Sequence, residues 1–174
     1  MVQEKIAAFA LVDDFQAENL TKMGSCLYQN NIIPIIISLK KGRNVVDKDK
    51  TIMTETDLTF ARARTQIDAL ILSDDFSIEQ LMDHGPFRKL VEKMVDENEL
   101  VVAMGKAPVM LAEVGVAEGR QVTGNTEAKT KLKKAGAQFL EDNLVVDANL
   151  ITAQSIAQAD LVCNQIVNAL RKAA

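Results

Sequence analysis

The stretch GPFRKLVEKMVDENELVVAMGKAPVMLAEVG, residues 85–115, decides the fold class. Gly85-Pro86 opens a helix, because proline at a first helical position gives up an N–H that would have no partner there. Phe87, Leu90, Val91, Met94 and Val95 follow at i, i+3, i+4, i+7 and i+8, an apolar stripe along one helix face. Leu100 to Met104 is a continuous apolar run, the pattern of a strand covered on both faces. Ala107 to Val114 is helical again, and Gly115 ends it. Helix, buried strand and helix in succession mark an α/β chain.

The same alternation extends outward. Ile6 to Val12, Ile32 to Leu39 and Asp68 to Leu72 read as further buried strands. Pro34 places the second of these at a strand start or a sheet edge. Leu20, Met23, Gly24, Leu27 and Tyr28 stripe a helix between the first two. Asn44 to Met53 reads as a hairpin turning at Asp47-Lys48-Asp49-Lys50. Arg120 to Thr123 is extended, Glu127 to Ala135 is helical and stops at Gly136, and Leu144 to Thr152 is hairpin-like. Ile156, Ala159, Cys163, Ile166, Val167 and Leu170 stripe a last helix. Strands alternating with helices predict one doubly wound, mostly parallel sheet with helices on both faces, spanning residues 1–174. Ligands of such sheets bind beyond the carboxyl ends of the strands. The residues placed there are Asp13, Asp14, Glu18 and Asn19, then Ser73, Asp74 and Asp75, then Gly105 and Lys106.

Composition narrows the function classes. The 174 residues are 48% hydrophobic and 25% charged, ordinary for a globular domain. No apolar run approaches the roughly 20 residues of a membrane span. A formal net charge of −4 with 4% aromatics argues against a nucleic-acid partner. The first residues lack a small-residue cleavage pattern, so no signal peptide is expected. Two cysteines are too few for a disulfide framework. Cys163 falls on an apolar stripe and Cys26 beside one, so both are expected to be inert thiols in a cytoplasmic protein.

Three segments carry a family resemblance. Residues 110–123, MLAEVGVAEGRQVT, residues 132–139, LKKAGAQF, and residues 145–152, VVDANLIT, resemble the corresponding motifs of the ThiJ/PfpI family, the class I glutamine-amidotransferase-like group that includes the parkinsonism-associated deglycase. Asp57 to Phe60 and Asp68 to Leu72 fit the same pattern. The resemblance implies a flavodoxin-like domain, a homodimer, and a cysteine-dependent hydrolase of protease, deglycase or glyoxalase type, with no cofactor.

The site motifs depart from that pattern. Gly105 stands where the family has its nucleophilic cysteine on a strained strand-to-helix turn, and Lys106 where a histidine follows it. Glycine adopts the turn's positive φ freely but has no attacking atom. Asn19 takes the place of the family glutamate, with Glu18 about 100° around the helix. In Leu72-Ser73-Asp74-Asp75 the two acids replace the glycines on the oxyanion side, and acids there repel a developing oxyanion. These departures lead to the expectation of a catalytically degenerate protein that acts by non-covalent binding or as an interaction subunit. With Lys106 and helix N–H groups set against Asp74 and Asp75, weak binding of a small anion is expected.

The alternatives are the hydrolase itself and an acidic pocket in which Asp13, Asp14, Asp74, Asp75 and Lys106 converge on a divalent cation or a phosphate. Capping of helix starts by the same carboxylates is the favoured reading, and no metal is expected. His84, the single histidine, is expected in solvent. Val45, Val46, Ile52 and Met53 are expected to be exposed and to serve a dimer interface.

Overall fold

Successive side chains of a strand point to opposite faces, and in the central strands both sets are apolar. Ala7, Phe9, Ile36, Ile71, Val102 and Met104 pack on one face, and Ala8, Ala10, Leu70, Leu72, Val101 and Ala103 on the other. The sheet must therefore be covered twice. The computed structural model describes residues 4–173. Its first half runs β1 (Lys5–Ala10), α1 (Ala17–Gln29), β2 (Ile32–Ser38), β3 (Asn44–Val46), β4 (Met53–Glu55), β5 (Leu58–Thr59), α2 (Phe60–Ala63), β6 (Ala69–Leu72) and α3 (Asp75–Leu81). Its second half runs α4 (Gly85–Asp96), β7 (Leu100–Met104), α5 (Val109–Glu113), β8 (Gln121–Val122), α6 (Thr126–Lys134), β9 (Gln138–Phe139), β10 (Leu144–Asp147) and β11 (Leu150–Ala153). A 3-10 turn (Ile156–Gln158) leads into α7 (Ala159–Lys172).

Seven strands form the main sheet in the order β10-β11-β7-β6-β1-β2-β5. All neighbours are parallel except the β10–β11 pair. Helices α1 and α7 cover one face through Met23, Leu27, Val162 and Ile166. Helix α4 covers the other through Phe87, Leu90, Val91 and Met94, the stripe read from the sequence. Pro34 lies in an interior strand, yet β5 reaches β2 only at Ile37 and Ser38, so the proline needs no ladder partner on that side. The chain moves to β2 on one side of β1 and returns to β6 on the other. That reversal leaves a crevice at the carboxyl ends of β1 and β6.

Several expectations change on contact with the structure. α3 does not announce itself as a periodic stripe, because seven residues span too little for one. His84 is half-buried rather than solvent-exposed: its Nδ1 accepts the Phe87 N–H at 3.3 Å and its ring meets Phe60 edge-on. Val45 is in the core, whereas Met53 is 66% exposed. Cys26 and Cys163 are not free thiols. They form a disulfide, with their Cα atoms 6.5 Å apart, that joins α1 to α7. Stripe positions place both residues on faces that look at the same sheet, but they do not say that two helices 137 residues apart in sequence lie side by side.

That bridge closes a long loop and restrains the unfolded chain, which is worth roughly 2–4 kcal/mol. The Cys26→Ser/Cys163→Ser double variant is expected to unfold at lower urea concentration than the oxidised parent. Coincident urea transitions would show that α1 and α7 hold together without the bond.

Candidate functional site

The carboxyl ends of β1, β6, β7 and β11 surround a cavity of about 180 Å³. Gln16 and Asn19 enter it from the loop after β1 and the first turn of α1. Ser73 and Asp75 enter from the segment joining β6 to α3, and Gly105 from the turn after β7. Gln154, Ser155 and Ile156 close it after β11, and Asn125 from the start of α6. Among the described residues no lysine, arginine, histidine or cysteine lines this cavity, and Asp75 is the one ionisable side chain that does.

Of the expected site residues, Asn19, Asp75 and Gly105 come together. Asn19 is buried and donates from Nδ2 to the Ser73 carbonyl at 2.6 Å. That bond fixes the orientation of its amide and leaves Oδ1 as an acceptor with no partner among the described residues. Ser73 Oγ is likewise buried and unpartnered. Gly105 has φ +64°, and a Cβ placed on it would lie 2.8 Å from Asp75 Oδ1. Asp75 therefore occupies the space into which a side chain at 105 would project. Its Oδ1 accepts the Lys106 N–H at 2.8 Å. Burial raises the Asp75 pKa, the Lys106 N–H opposes that shift, and the neighbouring Asp74 adds to it.

The other candidates leave the cavity. Glu18 projects into solvent and pairs with Lys22 at 2.7 Å. Asp74 is fully buried but structural: one oxygen accepts the Ser77 N–H at 2.7 Å and caps α3, and the other accepts the Gln16 N–H at 2.9 Å. The Lys106 side chain turns away to Glu127, at 2.8 Å, and to Glu79. Those two carboxylates raise its pKa. The Lys106 ammonium is therefore engaged by two acids, and the N–H groups at the start of α5, those of Val109, Met110 and Leu111, donate to the carbonyls of Lys106, Ala107 and Pro108. α5 begins only at Val109 and is five residues long.

Nor do the strand-end acids converge on one cation. Asp13 accepts the Val46 N–H at 3.0 Å and Asp14 pairs with Lys50 at 2.7 Å, both against the β3–β4 hairpin. They border a wider hollow of about 360 Å³ that Asp75 does not line. Among the described residues no three His, Cys, Asp or Glu side chains are grouped to hold a metal. Sequence reading places Ser73 at this edge of the sheet without giving it a role, and does not single out Gln154 and Ser155 as binding groups. Their position after β6 and β11 is the signal that points to them.

Comparison with known proteins agrees with this architecture. The model of the DJ-1/PfpI family matches residues 5–169. An uncharacterized protein of Methanocaldococcus jannaschii is 28% identical over 174 residues, covering 99% of this chain and 85% of its own. Protein/nucleic acid deglycase 2 of Escherichia coli is 30% identical over 117 residues, covering 67% of this chain and 64% of its own. The crystal structure of a ThiJ/PfpI domain protein from Brachyspira murdochii superimposes with a TM-score of 0.87 at 20% identity, covering 98% of each chain. The fold is that flavodoxin-like arrangement.

Asp74→Ala removes the cap of α3 and leaves the buried Ser77 N–H and the Gln16 N–H without their acceptor. A loss of roughly 2–4 kcal/mol is expected. Urea unfolding measures it, and a loss below about 0.5 kcal/mol, the scale of an ordinary surface substitution, contradicts the structural role.

Proposed function

The chain belongs to the DJ-1/PfpI family, and within it we propose a member that binds a small ligand at the family's site without covalent chemistry. The observation that carries this reading is the turn at residue 105. It has the positive φ of a nucleophile elbow, with no side chain on it and the Asp75 carboxylate in the adjoining space. The two cysteines are bonded to each other through α1 and α7 and do not line the cavity. A thiolate attack would need a sulfur that the cavity does not contain. What the cavity offers is a fixed set of hydrogen-bonding groups, which suits recognition.

The purified protein is expected to show no deglycation of glycated amino acids and no peptide hydrolysis above background. Turnover that persists in the Cys26→Ser/Cys163→Ser variant overturns this reading. A gain-of-function pair probes the geometry directly. Gly105→Cys alone brings its Cβ against Asp75, whose charge also opposes a thiolate. Gly105→Cys with Asp75→Gly clears that space. Without reductant, iodoacetamide is expected to label residue 105 at least tenfold faster in the double variant, read by peptide mass. Equal labelling rates would mean that Asp75 does not govern the elbow.

The reading extends to self-association through the surface of α1 and the β3–β4 hairpin. Tyr28 on α1 is 74% exposed and Met53 on β4 is 66% exposed, apolar side chains that a partner copy would cover. Light scattering at micromolar concentration is expected to give twice the 19.1 kDa chain mass. The monomer mass at every concentration rejects the dimer.

A further inference from the structure

Resting on that non-covalent reading, we infer that the cavity takes a small organic cation with forked N–H donors, of amidinium or guanidinium type, held by Asp75, Asn19 and Ser73. The polar groups left over in the cavity determine the chemistry. Asn19 and Ser73 are each 5% exposed, and Asn19 Oδ1 and Ser73 Oγ have no hydrogen-bond partner among the described residues. The amide of Asn19 cannot turn round, because Nδ2 already donates to the Ser73 carbonyl. Oδ1 thus presents a fixed acceptor, and a buried acceptor calls for a donor. Ser73 Oγ accepts or donates as its partner requires.

The carboxylate of Asp75 spends Oδ1 on the Lys106 N–H and has no other hydrogen-bond donor among the described residues. Among the described residues no basic side chain lines the cavity to balance it. Lys106, the nearest in sequence to Gly105, is held by Glu79 and Glu127. A carboxylate at the cavity without a counter-charge favours a cation over a neutral guest, and a neutral guest over an anion. A planar amidinium has N–H groups at the spacing of a carboxylate's oxygens and others to spare for a nearby amide oxygen. The cavity's volume, about 180 Å³, limits the ligand to a small molecule or to the end of a longer one. This assignment reverses the sign of the ligand expected from the sequence, because the Lys106 side chain is held by Glu79 and Glu127 and does not line the cavity.

Three molecules of one shape and three charges test it. Acetamidinium chloride, acetamide and sodium acetate are titrated calorimetrically into the full-length protein at constant ionic strength. Acetamidinium is expected to bind at least tenfold more tightly than acetamide, with acetate weakest. Asp75→Asn, its fold checked by circular dichroism, is expected to lower acetamidinium affinity at least tenfold while leaving acetamide within a factor of three. Ser73→Ala, a smaller change, is expected to weaken acetamidinium severalfold and provides a second variant should Asp75→Asn not fold. Acetate binding as tightly as acetamidinium, an Asp75→Asn variant that binds like the parent, or no binding by any of the three overturns the inference. None of those outcomes produces enzymatic turnover, so the non-covalent reading stands or falls separately on the turnover assays.

Discussion

The Asp75 carboxylate reaches the Lys106 N–H only because residue 105 carries no Cβ. A methyl group there would sit 2.8 Å from Asp75 Oδ1, closer than carbon and oxygen tolerate, so one of the two would have to move. The contact ties the start of α3 to the turn after β7, across the carboxyl ends of β6 and β7. It also sets a carboxylate in the space that a side chain at residue 105 would enter. Strand-to-helix turns that hold a non-glycine residue at positive φ store on the order of 1–3 kcal/mol of backbone strain. Glycine at φ +64° stores far less, and the chain has used the freed space for an acid. The glycine and the aspartate are one feature of this turn, since the position of the carboxylate depends on the missing Cβ.

The neighbouring aspartate has a different role for a geometric reason. Asp74 precedes α3 in extended backbone, which turns its carboxylate toward the N–H groups at the helix start. Asp75 is the first residue inside the helix, and its side chain is directed across to β7's turn. One step along the backbone separates a buried cap from a cavity wall. The loop after β1 is gathered into the same cluster, since Gln16 donates to Asp74 and Val12 donates to the Ser77 hydroxyl. The segments after β1 and β6, which flank the reversal of strand order, are therefore held by hydrogen bonds rather than by packing alone. A cavity framed in this way is preorganised, and preorganisation lowers the entropy that a ligand must overcome.

Much of the fold was legible because burial leaves a periodic trace. Continuous apolar runs marked β1, β2, β6 and β7, and the 3.6-residue stripe marked α4 to within a residue or two. Short elements left no such trace, so α2 and α3 were silent. At the site, sequence order correctly brought Asn19, Asp75 and Gly105 to one edge of the sheet. It gave no direction to their side chains, and direction is what separates Asp75 from Asp74 and sends Lys106 to Glu79 and Glu127. Glu127 belongs to α6 and Glu79 to α3, so the partners that neutralise Lys106 are assembled only by the tertiary fold. The disulfide was hidden for the same reason: adjacency of α1 and α7 is a property of the sheet's winding, not of either helix.

That winding links the staple to the cavity. α1 carries Asn19 in its first turn and Cys26 two turns later. α7 carries Cys163 and is entered through Ser155 and Ile156, which line the same cavity. Two of the lining segments thus lie at the leading ends of the two helices that the disulfide joins on one face of the sheet. Packing of Met23 and Leu27 against the strands, with Val162 and Ile166 alongside, already limits sliding between those helices. A covalent tie adds a constraint that does not weaken as the surrounding side chains exchange rotamers. The acceptor oxygen of Asn19 is set by α1, while Ser155 and Ile156 follow α7. Their separation, and with it the width of the cavity, is governed by how those helices are held together.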